Sequence, residues 1–273
     1  MPQKQWIVVG IAALLFGVLS LLPKSVVDND AIAVNEGPAM PEEQDENHAS
    51  STTPEQQVAI SLAKKNFEKS SGSEKSRALD SLIVKFIVAN RYDSAARYAE
   101  SFAQMQGGDE WKERAGELYY EAFTFSLSED KAQRMARKTK DLFEPLVEKY
   151  PEKLDLRVKL GMTEVISGTP MKGVRMIRGV LEDDPENLFA TMQLGLLSMR
   201  SGQYGKAVSR FERVLELDEG NIEALYYLGI SHAEQDHHEE AEKALKRVKA
   251  LGSDPAMLQT VDQYLNQLSE HEH

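Results

Sequence analysis

The chain has no cysteine. Disulfides, thiolate nucleophiles, cysteine zinc sites, iron–sulfur clusters and a lipidated N-terminal cysteine are thereby excluded. The redox compartment stays open, because a cysteine-free protein is compatible with either. Aromatic residues are scarce at 7%, and positive charge is in deficit, with 32 Lys and Arg against 44 Asp and Glu, a net charge of −12 over 273 residues. A basic nucleic-acid groove is not expected from such a balance. HExxH, GxGxxG, P-loop and GxSxG motifs are missing as well. The six histidines are His48, His232, His237, His238, His271 and His273, and no carboxylate or histidine partner stands at a fixed spacing from them. Carboxylates are numerous but scattered, with no pair that reads as an acid/base couple. The expectation is a protein that is not an enzyme and carries no metal and no cofactor.

What is present divides into three compositions. Trp6 to Leu22 (WIVVGIAALLFGVLSLL) is an uncharged run preceded only by MPQKQ. At about 1.5 Å per residue it covers roughly 25 Å as a helix, and interfacial Trp6 helps it fit a bilayer. Residues 1–27 are read as an uncleaved signal anchor, or transmembrane helix, with the short tail inside and the body outside. A cleaved signal peptide is the alternative, since Ala31-Ile32-Ala33 is a small-x-small site. Residues 28–53 then carry Asp28, Asp30, Glu36, Glu42, Glu43, Asp45 and Glu46 without a single Lys or Arg. Such a stretch buries too little apolar surface to offset its ordering entropy, so it reads as a disordered acidic linker.

From residue 54 the pattern is helical. Thr53-Pro54-Glu55-Gln56 is a capping box with Pro at the first helical position, opening a helix within 54–75. Leu160-Gly161, Leu194-Gly195 and Leu228-Gly229 recur every 34 residues, each followed at one register by Gly173, Ala207 or Ala241 and then Val180, Val214 or Val248. A fixed period of this length marks a helix–turn–helix solenoid. Small residues at Gly195 and Ala207 let antiparallel helices approach, Gly202 permits a positive-φ turn, and Tyr204 and Phe211 fill the space between repeats. Residues 154–187, 188–221 and 222–253 are three such repeats. Residues 76–153 hold two divergent pairs, the second stretched by seven to ten residues near Ser126–Arg134. Residues 254–273 form a capping helix and tail, with Leu258, Val261, Leu265 and Leu268 on one face.

These residues resemble the tetratricopeptide repeat family, with Leu188 to Asn221 the best match. The resemblance implies an all-α helical solenoid whose first helices line a concave groove. It implies that the groove residues include Val158, Lys159 and Met162, then Phe189, Met192, Gln193 and Leu196, then Tyr226, Tyr227 and Ile230. Such a lining is rich in Met and aromatics and suits apolar or amphipathic protein segments. Packing of the same stripe on the N-terminal helices or on itself is the alternative. The chain departs from the family at Gly173 (usually Ala), Glu219 (usually Pro), Asp236 (usually Gly), and Thr191 and Leu225 (often aromatic). Chaperone-docking members clamp an acidic tail with Lys, Asn and Arg, and Val158, Met162, Gln193 and Leu196 do not supply that clamp. With its anchor, the chain is similar to single-pass tetratricopeptide proteins of the bacterial inner membrane that face the periplasm. Those proteins hold clients near the secretion translocon or scaffold complexes such as cytochrome c assembly. An adaptor for clients is expected here, with a constitutive scaffold subunit as the alternative. A secreted or periplasmic product would follow from cleavage.

Overall fold

A computed structural model describes residues 52–252 and 254–271. The expected anchor, and the linker as far as Ser51, lie outside these residues. Among the described residues there are twelve helices and no strand, and no helix is long and apolar enough to cross a membrane. The helices are α1 Pro54–Lys69, α2 Gly72–Val88, α3 Tyr92–Gln106, α4 Asp109–Thr124, α5 Glu129–Lys149 and α6 Leu154–Ile166. They continue with α7 Pro170–Asp183, α8 Leu188–Arg200, α9 Tyr204–Leu217, α10 Ile222–Ala233, α11 His238–Leu251 and α12 Pro255–His271. Short turns make each successive pair antiparallel neighbours. The first helices of the last three repeats start at residues 154, 188 and 222, one every 34 residues. Together they build an all-α, tetratricopeptide-type helical solenoid.

Local chemistry accounts for the boundaries. Thr53 accepts from the Gln56 amide at 3.3 Å while Gln56 Oε1 accepts from the Thr53 amide at 2.9 Å, closing the capping box of α1. Asn187 and Asn221 cap α8 and α10, each accepting at 2.9 Å from the amide three residues on. Both cap side chains donate in turn to the aspartate at the end of the previous helix, Asp184 at 3.2 Å and Asp218 at 3.1 Å. This Asp–Asn pair fixes the corner in both repeats, which is why Glu219 replaces the usual proline without loss of the turn. The turns inside the repeats place Gly168 at φ +90°, Gly202 at +69° and Asp236 at +59°. Aspartate is among the residues that tolerate this left-handed region, so the departure at Asp236 keeps the same bend.

The core runs through the stack in three successive clusters. The first, from α1 to α4, centres on Phe67, Leu79, Phe86 and Phe102. A second joins α4 to α8 around Phe143, Leu156, Ile177 and Leu194, and a third joins α8 to α12 around Phe211, Leu225, Leu245 and Val261. The close approaches rest on glycine: a Cβ on Gly195 would lie 2.5 Å from the Phe211 ring, and one on Gly229 would lie 2.7 Å from Leu245. The stretched unit takes up its extra residues as helix, since α5 is 21 residues long against 14 for α7, α9 and α11. Its start projects beside the first helices and becomes part of the site.

Candidate functional site

Side chains of the first helices α4, α6, α8 and α10, with the start of α5, converge on a cleft of about 960 Å³. Its wall is apolar where Phe123, Met162, Ile166, Phe189, Leu196 and Met199 meet. Glu129, Gln133, Gln193, Arg200 and Glu223 supply its polar groups. An apolar trough with a few spaced hydrogen-bonding groups suits a peptide segment, which brings its own backbone polar groups. Tyr227, also in the wall, has its pKa raised by burial and then by the Glu223 charge, so it remains a neutral phenol. Burial likewise raises Tyr120 on the opposite side.

The residues expected in the groove divide by environment. Met162, Phe189, Gln193, Leu196 and Tyr227 line the cleft together. Tyr226 lines a smaller cleft of about 360 Å³ beside Met257 of α12 and stands edge-on to Tyr227 at 5.2 Å. Lys159 is held in an ion pair with Glu117 of α4 at 2.8 Å, with its ammonium 5.9 Å from the Tyr120 ring. Ile230 is half-buried and lines neither cleft. Val158 and Met192 correct the expectation. Val158 is fully buried in the cluster that holds Tyr120, Phe123 and Phe143, because the lengthened unit packs over it. Met192 is buried with Phe211 and Leu225, filling space between successive repeats rather than facing the groove.

The repeat register misses the contribution of the stretched unit: Tyr120, Phe123, Phe125, Glu129 and Gln133 all line the cleft. Phe125 is 63% exposed and stacks on Tyr92 at 5.3 Å. One signal could have found them, since Tyr119, Tyr120, Phe123 and Phe125 concentrate aromatics in a chain that has few. Among the described residues the histidines form no equivalent centre. His232 and His237 rings lie 5.7 Å apart, and no group of three or more His, Asp or Glu among the described residues could hold a metal ion.

A charge cluster is centred on the buried Glu164. Glu164 of α6 is 1% exposed and accepts from Lys172 at 2.7 Å, from Lys140 at 2.9 Å and from the Thr169 hydroxyl at 2.5 Å. Burial raises its pKa, but hydrogen bonds from Lys172, Thr169 and Lys140 outweigh this and hold the carboxyl at about 2. The cluster ties α5, α6 and α7 together.

Residues 198–261 match the family model of the tetratricopeptide repeat. A tetratricopeptide repeat protein from Parabacteroides merdae ATCC 43184 superposes with a TM-score of 0.60 at 13% identity, covering 79% of this chain and 78% of that one. TTC0263, a thermophilic protein of the same repeat class in Thermus thermophilus, gives 0.54 at 15% identity over 67% of this chain and 95% of its own. YrrB, described as a tetratricopeptide protein with an unusual peptide-binding site, gives 0.44 at 20% identity, covering 75% of this chain and 100% of that one. No curated protein matches the chain in sequence. The fold is therefore a tetratricopeptide-type solenoid.

Proposed function

We propose that this protein is a non-catalytic adaptor, tethered to the bacterial inner membrane, whose groove holds apolar or amphipathic segments of client proteins on the periplasmic side. The cleft between α4, α5, α6, α8 and α10 carries the reading, because its apolar wall remains open in the folded solenoid. The tether reading rests on the uncharged run Trp6–Leu22 and on the acidic stretch that follows it. Treated as a flexible chain, a linker of this length spans roughly 30 Å, so the groove searches near the membrane surface.

A second reading, a constitutive scaffold subunit, has its own support. Val58 and Leu62 of α1, and Val84 and Val88 of α2, are all at least half exposed. They leave apolar rows at the end of the solenoid where terminal repeats usually present a polar outer face. A fixed membrane partner docked there would cover them.

The two readings separate in one experiment. The detergent-solubilised full chain is compared with a groove variant, Phe189→Ala with Leu196→Gln, and with an end variant, Val58→Gln with Val84→Gln. Circular dichroism establishes that each is folded. Substoichiometric clients lost only in the groove variant support the adaptor. One partner in fixed ratio, lost only in the end variant, would replace it with the scaffold.

A further inference from the structure

At Val165 and Arg200 the groove continues into a second cleft of about 490 Å³, and both residues line both clefts. The second cleft lies among α7, the end of α8, the turn at Ser201–Gln203 and α9. Its chemistry is different. Arg178, Arg200, Lys206 and Arg210 surround a floor that includes Val174 and Leu197, and no carboxylate lines it. In a chain of net charge −12 this is a local inversion. Nor are the cations neutralised elsewhere: among the described residues none of the four has a carboxylate partner.

Their existing bonds are to neutral groups. Lys206 donates to Gln203 Oε1 at 2.6 Å, and Arg210 donates through one nitrogen to the Leu194 carbonyl at 2.6 Å and to the Ser198 hydroxyl. Four other cations of the same two repeats are paired: Arg157 with Asp183, Lys159 with Glu117, Lys172 with Glu164 and Arg213 with Glu216. Burial, and then the charge of Arg178, lower the pKa of Arg210, the mark of like charges held close without a counter-charge. An anionic group entering the cleft relieves that repulsion, and a neutral one does not.

We propose that this cleft is the acidic-flank subsite of the groove, taking Asp or Glu side chains that adjoin the apolar stretch of a bound partner segment. The proposal rests on the groove reading and sharpens it: the preferred client is an apolar segment bordered by carboxylates. Continuity through Val165 and Arg200 brings the two parts within one short peptide. The position is not that of the acidic-tail clamp, because Arg178, Lys206 and Arg210 stand on the second helices α7 and α9.

The test uses the full-length protein in nanodiscs and labelled peptides that share one apolar block and end in a run of Glu, of Gln or of Lys. Fluorescence anisotropy is expected to show the Glu peptide binding about tenfold tighter than the Gln peptide at low salt, with the advantage shrinking as salt rises. Arg178→Gln with Lys206→Gln, both at exposed positions, should erase the advantage and leave affinity for the Gln peptide unchanged. Equal binding of all three peptides overturns the subsite and leaves the groove reading standing. Binding of none overturns both. A Glu advantage that emerges only when the seven linker carboxylates from Asp28 to Glu46 are changed to amides assigns the cleft to the chain's own linker and overturns the partner assignment.

Discussion

Gly173→Ala should weaken the fold, although it places the best helix former in α7 and restores the residue found at the same register as Ala207 and Ala241. A Cβ at position 173 would lie 2.2 Å from the Gly161 carbonyl oxygen, 2.7 Å from Val165 Cγ2 and 3.1 Å from the Val165 amide nitrogen. Two of these neighbours are backbone, so no change of rotamer relieves the overlap. Relief requires α6 and α7 to move apart by about 1 Å, which forfeits part of the dispersion contact along their seam. Overpacking of this kind costs about 1–3 kcal/mol, and backbone overlap places it at the upper end. The helix preference of alanine over glycine returns about 1 kcal/mol. The net loss is about 1–2 kcal/mol, a fall of roughly 2–6 °C in the melting midpoint for a body of this size. Gly179→Ala in the same helix is the control, since its Cβ would meet only Arg157 at 3.6 Å. That change should raise the midpoint by the helix-preference gain alone. Thermal circular dichroism on both variants decides the matter, and a Gly173→Ala midpoint equal to or above that of the parent would refute the packing argument.

Glu164 predicts a pH dependence. Its pKa is depressed from 4.5 to about 2, so its contribution is complete above pH 4.5 and is lost as pH falls from there through about 2. The shift corresponds to about 3 kcal/mol, and urea titrations at pH 6 and pH 3 should show Glu164→Gln less sensitive to acid than the parent. Asn187→Ala removes the cap of α8 and should cost about 1 kcal/mol by urea titration, with Asn221→Ala similar because the geometry is repeated. Phe125→Ala should change stability by less than about 1 kcal/mol, given its exposure, while weakening peptide binding several-fold in an anisotropy titration. Unchanged affinity there would remove the end of α4 from the groove.

The fold was legible because its signals are local and repeated. Small residues at 161, 195 and 229 set the helix approaches, and the turn positions 168, 202 and 236 all have positive φ. The groove was legible only in part, because a register carried from repeat to repeat assumes that every unit packs alike. The stretched unit of α4 and α5 breaks that assumption: its side chains share the cluster that buries Val158, and it adds Phe125 and Gln133 to the lining. Clusters assembled across elements leave no pattern along the chain. Glu164 meets Lys140 and Lys172 from two other helices, and the four cations of the second cleft come from α7, α8 and α9.

The groove claim is tested most directly by mapping where a bound segment lies. An amphipathic peptide carrying a photoreactive phenylalanine is irradiated with the full-length protein in nanodiscs, and the adducts are located by mass spectrometry. Saturable adducts are expected on the start of α5, on α6 and on α8, abolished by Phe189→Ala with Leu196→Gln. Adducts concentrated on α1 and α2, or labelling that never saturates, would contradict it.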